Sequence, residues 1–206
     1  MIRNILRFVI ILGLACLVMG GGVAILYACF QGRLAARDRA ATEEAIRAVV
    51  PEGAKVDLAK PLAGSAKDGT AVYAAVAADA GARTVAWVAA GEAQGYSSVV
   101  KVMVGVTREG NALKIHKVAV TSQAETPGLG ATVAETRSTY TLWQKLFGSD
   151  EPERVFNPFL RRFETRQAGQ VRDIQAMTAA TITSNATKAA VAQAIGRIQA
   201  ALQGTP

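Results

Sequence analysis

The chain has 206 residues, half of them hydrophobic, with a formal net charge of +7 and a single histidine. Its two cysteines, Cys16 and Cys29, share one apolar run; along a helix they lie roughly 20 Å apart, too far for an intrachain disulfide, and with none further on the rest of the chain has no thiolates for an iron–sulfur cluster or a thiolate zinc site. The positive charge does not point to nucleic acid, because Arg161-Arg162 is the only adjacent basic pair beyond that run and no nucleic-acid motif accompanies it; it is assigned to membrane-surface or partner contacts, or to no specific partner.

The run itself, Phe8 to Phe30, carries no charged side chain and is bounded by Arg7 and by Gln31 and Arg33. As a helix it covers roughly 35 Å, enough for a hydrocarbon core of about 30 Å with some tilt. A cleaved signal peptide has an apolar region of only about 7–15 residues, so a retained single-pass anchor is expected. Orientation stays open on charge alone, since Arg3 and Arg7 on one side balance Arg33, Arg37 and Arg39, offset partly by Asp38, on the other.

Leu34 to Val50 is alanine-rich and predicts a helix stopping at Pro51-Glu-Gly53. A polar, glycine-containing stretch follows to Gly69. Thr70–Ala77, Thr84–Ala90, Ser97–Thr107 and Leu113–Ser122 predict strands, the last two joined by a turn at Arg108–Asn111. His116 alternates with Ile115 and Val118 in the last of these, the position of a solvated face residue and not of a metal ligand. Helices are predicted over Ser138–Phe147 and Thr183–Gln203, the second with Val191, Ala194, Ile195, Ile198 and Leu202 on one face. Strands grouped before helices predict an α+β domain with a mainly antiparallel sheet and a C-terminal helix. The expected organisation is a tail and transmembrane helix over residues 1–30, a helical stalk and linker over 31–69, and one extramembrane domain over 70–206.

Two short motifs carry chemical information. ETPGLG, from Glu125 to Gly130, follows the last strand; Pro127 fixes its own φ, and Gly128 and Gly130 allow close backbone approach. A simple turn accounts equally for Pro and Gly. TAATITS, from Thr178 to Ser184, places three threonine hydroxyls just ahead of the last helix. One hydroxyl suffices to cap a helix start, so the surplus asks for another role.

Together and in this order, the motifs resemble the FMN-binding domain family, whose attachment site has the form Asp-x-x-Ser/Thr-Gly-Ala-Thr with the last Thr esterified to the phosphate of FMN. The resemblance places covalent FMN on Thr181, with Thr178 in the Ser/Thr position, Ala180 in the Ala position and Thr183 in the hydroxyl-rich continuation. Ala179 stands where the family has Gly and is expected at negative φ; Gln175 stands where it has Asp, with Asp173 two residues out of register. ETPGLG resembles the family's cofactor-facing loop. Glu125, Thr126, Gly128, Leu129 and Gly130 are therefore expected around the cofactor, with Leu129 an apolar contact, Thr126 a polar one, and the glycines bringing the backbone close to the ring. The segment Gly95–Val106, and Trp143 with Phe147 and Gly148, resemble weaker family patterns. A phosphodiester at the start of the last helix suits the partial positive charge found there.

The layout of one span and one flavin domain resembles the Rnf-type members of the family. That implies an electron-transfer subunit, not catalytic alone, in an ion-translocating complex between ferredoxin and NAD. It implies as partners the other subunits of the complex, including a second flavinylated membrane subunit, and a flavin transferase for maturation. It also implies a bacterial inner-membrane location with the large domain on the periplasmic side. The rival readings are the corresponding subunit of the sodium-pumping NADH:quinone reductases, or a non-redox anchoring subunit that has lost its flavin.

Overall fold

The computed structural model describes residues 2–65, 68–77, 83–110, 112–138 and 155–204. By internal contacts it divides into two units, Met1–Thr42 and Glu43–Pro206. The first unit consists of helix α1, which runs over Ile2–Val49 and so continues into the second. Within it, Leu6–Arg33 has a mean hydropathy of 2.7 and none of its most apolar stretch is buried by the protein. Such a helix fits a single-pass membrane anchor by length and composition. Where the sequence suggested a span and then a separate helix from Leu34, the backbone is continuous, because Gln31-Gly32-Arg33 contains no proline and alanine-rich sequence follows. Pro51 ends the helix, since the residue before a proline is pushed out of the α region.

The second unit is built on a five-stranded antiparallel sheet in the order β1-β2-β3-β4-β5: β1 is Ala54–Val56, β2 Val72–Ala77, β3 Thr84–Gln94, β4 Val99–Glu109 and β5 Ala112–Ser122. The expected α+β class is what is found, with four of the strands where periodicity placed them. β1 escaped the sequence reading because three residues are too few to establish alternation. β3 extends past Ala90 through Gly91, a residue that usually weakens a strand; here a Cβ would collide with the Ala190 carbonyl of the C-terminal helix, so glycine lets the two backbones meet.

Both faces of the sheet are covered. Trp87 and Ala89 of β3 and Val100, Val102, Val104 and Val106 of β4 face one cluster, which includes the C-terminal helix α2, Thr181–Gln203, through Ala190, Val191, Ala194, Ile195 and Ile198. Val88 and Met103 face the other way, onto Ala45, Ile46 and Val49 at the end of α1. Leu202, also expected on the core face of α2, is partly buried against the first cluster. Burial on two sides explains why β4 is almost continuously apolar.

After β5 the chain passes through a 3-10 turn at Gly130–Val133 to β6, Arg137–Ser138, which pairs with β7, Val155–Phe156. The helix expected over Ser138–Phe147 therefore begins on a residue that is in a strand; its remainder, with Trp143, Phe147 and also Gly148, lies outside the described residues. Two further 3-10 segments, Leu160–Arg162 and Ala168–Asp173, lead to α2.

Candidate functional site

Beyond β5 the backbone turns at ETPGLG, where the Leu129 and Ala131 amides both donate to the Thr126 carbonyl at 3.2 and 3.1 Å. Gly128 sits in this turn at φ +74°, with nothing within 4 Å of the position a Cβ would take. Its role is conformational. Behind the turn, buried Asn157 donates to the carbonyls of Val133 and Glu135 at 2.9 and 2.7 Å and accepts from the Phe159 and Leu160 amides, both at 2.8 Å. This anchor is invisible to a local reading, because Asn157 lies outside both motifs.

Glu125 is only 6% exposed, and its carboxylate is enclosed by protein donors. The amides of Ser97 and Ser98 donate to Oε1 at 3.0 and 2.9 Å and the Ser98 hydroxyl at 3.2 Å; the Tyr96 amide and the Thr183 hydroxyl donate to Oε2 at 3.3 and 2.7 Å. Burial alone raises a carboxyl, but the bonds from Thr183 and from the Ser98 and Ser97 amides and the Ser98 hydroxyl outweigh it and hold Glu125 below the ordinary carboxylate range. A Cβ on Gly130 would stand 2.7 Å from both Glu125 Oε2 and Thr183 Oγ1. Gly130 thus makes room for this hydrogen bond. The sequence reading gave both glycines to backbone approach toward a cofactor ring; the geometry gives Gly128 to the turn and Gly130 to the Glu125–Thr183 contact.

The start of α2 is arranged in the opposite way. Ala180, at the N-cap, makes no side-chain capping bond, and the first helix amide with a protein acceptor in this region is that of Ser184, donating to the Ala180 carbonyl at 2.9 Å. The amides of Thr181, Ile182 and Thr183 precede it and have no intrahelical acceptor. The threonines therefore do not cap the helix. Thr183 is buried on Glu125, and Ser184 accepts the Met177 amide at 3.0 Å. Thr181 is exposed and makes no hydrogen bond within the described protein. Ala179, expected at negative φ, is instead at φ +63°. The conformation natural to the family's glycine is kept here by an alanine, at a steric cost of about 1–2 kcal/mol, because the chain must reverse between Met177, held by Ser184, and the first turn of α2.

The two motifs meet in one cavity of about 390 Å³, lined by Tyr96, Glu125, Thr126, Leu129, Gly130 and Ala179 to Thr183. Of the expected site residues, Glu125, Thr126, Leu129, Gly130, Ala180, Thr181 and Thr183 are brought together there. Gly128 is not on its wall, and Thr178 lines a neighbouring cavity with Arg162 and Gln175, where Arg162 Nη1 donates to the Gln175 carbonyl at 3.0 Å. Tyr96 and Ile182 were missed. Their signal lies in exposure: among the described residues of the second unit the exposed large hydrophobics are Leu62, Tyr96, Val99, Leu129 and Ile182, and three of the five rim this cavity. Clustered exposed apolar side chains mark binding surfaces. His116 is an exposed strand residue, its imidazole pushed down by partial burial and by Lys117 against a weaker opposing effect of Glu164.

The chemistry of this site fits a flavin mononucleotide. Uncapped amides at a helix N-terminus suit a phosphate, an unengaged hydroxyl stands on the same turn, and the apolar rim with a volume typical of small-molecule sites suits an aromatic ring system.

Comparison with known protein families points the same way. A family described as the FMN-binding domain matches residues 95–196, a stretch that contains both motifs. A subunit of the proton-translocating ferredoxin:NAD(+) oxidoreductase complex of Clostridium ljungdahlii is 29% identical over 131 residues; the match covers 59% of this chain and 58% of that protein, so the similarity spans little more than half of the relative's length. The crystal structure of NqrC from Shewanella oneidensis superposes with a TM-score of 0.45 and 16% identity over 76% of this chain and 72% of that one.

Proposed function

Since residues 95–196 belong to the FMN-binding domain family, we propose that the protein is a membrane-anchored electron-transfer subunit whose FMN is esterified through its phosphate to Thr181. The observation that carries the attachment is that Thr181 alone among the motif's three threonines combines exposure, the absence of a hydrogen bond to the described residues, and a place on the wall of the cavity it shares with ETPGLG. The ester forms when Thr181 Oγ1 bonds to the phosphorus of an activated FMN donor such as a flavin dinucleotide; the donor's bond to its leaving group breaks and the hydroxyl proton is released. The uncapped amides of the first turn of α2 and its partial positive charge hold the phosphodiester. Tyr96, Leu129 and Ile182 flank the ring, and Thr126 offers a polar contact. One-electron or hydride chemistry is supplied by the flavin itself.

The similarity to the Clostridium ljungdahlii protein supports a place in an Rnf-type, ion-translocating ferredoxin:NAD oxidoreductase. In this reading residues 1–30 are the membrane anchor, the large domain lies on the periplasmic side of a bacterial inner membrane, and a second flavinylated membrane subunit and a flavin transferase are partners. A reporter fused at the C-terminus is then expected to behave as exported, and activity only in the cytoplasm overturns this orientation. The central experiment is peptide mass spectrometry on protein made alongside an active flavin transferase. One FMN minus water is expected on Thr181, with complete loss in Thr181→Ala while the fold is retained. An adduct on another residue, or none on the wild type, overturns the assignment.

A further inference from the structure

Glu125 belongs to the motif expected to face the cofactor, yet both of its oxygens are already engaged by the protein. Oε1 takes the Ser97 and Ser98 amides and the Ser98 hydroxyl; Oε2 takes the Tyr96 amide and the Thr183 hydroxyl. Ser98 Oγ in turn accepts the Ala124 amide at 2.8 Å, so the carboxylate ties the β3–β4 turn to the segment leading into ETPGLG. Its only bond into α2 is the one from Thr183, which spans 58 residues of sequence and lies in the first turn of the helix. Gly130 packs directly against this bond, since a Cβ there would stand 2.7 Å from both Glu125 Oε2 and Thr183 Oγ1.

We propose that Glu125 is a positioning residue: by taking the Thr183 hydroxyl it fixes the rotation of the first turn of α2, which withdraws Thr183 into the protein and presents Thr181 to the cavity. Thr181 and Thr183 lie two residues apart, about 200° around a helix, so fixing one inward turns the other outward. The other bonds at this turn, the Met177 amide to the Ser184 hydroxyl at 3.0 Å and the Thr187 hydroxyl to the Thr183 carbonyl at 2.8 Å, do not engage the Thr183 hydroxyl, and the helix has no capping side chain and is entered through an alanine at positive φ. The buried bond thus selects which of two chemically equivalent hydroxyls is modified. This inference rests on the reading of Thr181 as the flavin attachment residue.

The test uses the full chain co-expressed with an active flavin transferase, with the attachment rate of folded protein and the modified residue as readouts. Thr183→Val removes the bond and Glu125→Gln replaces its charged acceptor with a weaker neutral amide, each with little change of shape, and Gly130→Ala forces its partners apart without altering either. Attachment at Thr181 is expected to slow at least tenfold in each, with Thr183→Ser, which keeps the hydroxyl, restoring most of the rate. Folded Glu125→Gln or Thr183→Val protein modified at the wild-type rate overturns the proposal. So does equal slowing in Thr183→Ser, and so does failure of all three disrupting variants to fold, which makes the bond a requirement of the core. Loss of the Thr181 adduct from wild-type protein, by contrast, removes the attachment reading on which it rests.

Discussion

The ETPGLG loop and the TAATITS turn form two walls of one cavity, and they treat their polar groups in opposite ways. At Glu125 five protein donors converge on one carboxylate. At the start of α2, two residues from one of those donors, backbone amides have no side-chain cap and the Thr181 hydroxyl has no partner among the described residues. Saturated groups hold a scaffold still, whereas open ones at a cavity wall are available to a ligand. The contrast therefore divides the motif residues into those the protein saturates and those it leaves open on the cavity wall, a division their sequence proximity conceals.

Substitution at Glu125 gives the largest expected effect on stability. Glu125→Ala leaves the amides of residues 96–98 and the Thr183 hydroxyl without their acceptor, and unfolding in denaturant should show a loss of about 3 kcal/mol or more. Thr181→Ala, in the other wall, should leave the denaturation midpoint within about 0.5 kcal/mol of wild type while removing the flavin. Equal destabilisation by the two would erase the distinction drawn between the walls.

Acid titration separates them further. The native Glu125 carboxyl is held below its ordinary value of 4.5. Its contribution is therefore fully present above about pH 4.5 and is lost as pH falls through the lower native value. Subtracting the stability of Glu125→Gln from that of wild type at each pH should give a difference that shrinks on acidification below this range. A difference that grows instead contradicts the bonding described for Glu125.

The two loop glycines make a finer comparison. Gly130→Ala forces a methyl against Glu125 and Thr183 and is expected to destabilise by about 1–3 kcal/mol. Gly128→Ala meets no atom and pays only for its positive φ, about 1 kcal/mol. Thermal or denaturant unfolding of the pair checks the order, and its reversal would assign the close contact to the wrong glycine. The smallest effect has the opposite sign: Ala179→Gly relieves a left-handed alanine but adds chain entropy to the unfolded state, for a net stabilisation of about 0.5 kcal/mol.

Much of this molecule is encoded locally. The uncharged run from Phe8 to Phe30 dictates an apolar helix, and short apolar runs bounded by turn residues mark the strands through Val88, Ala89, Val102, Met103 and Val104, all of them buried. The spacing of Val191, Ala194, Ile195 and Ile198 gives the buried face of α2. Each of these patterns repeats within a few residues, and backbone geometry converts it directly into structure. The two motifs were also legible as residues with a common purpose.

Which of those residues are buried and bonded and which stand open is decided by tertiary structure. The motif's register distinguishes Thr181 from Thr183 only by resemblance, because their chemistry and their neighbours are alike; in the fold the Thr183 hydroxyl is taken up by a carboxylate 58 residues away. Nor could sequence tell that Gly130 is small for the sake of a hydrogen bond, or that Ala179 keeps a conformation alanine resists, since both follow from how separate segments are forced together. The hydroxyls on offer were written in the chain. Which one remains open was determined by the packing that buries the other.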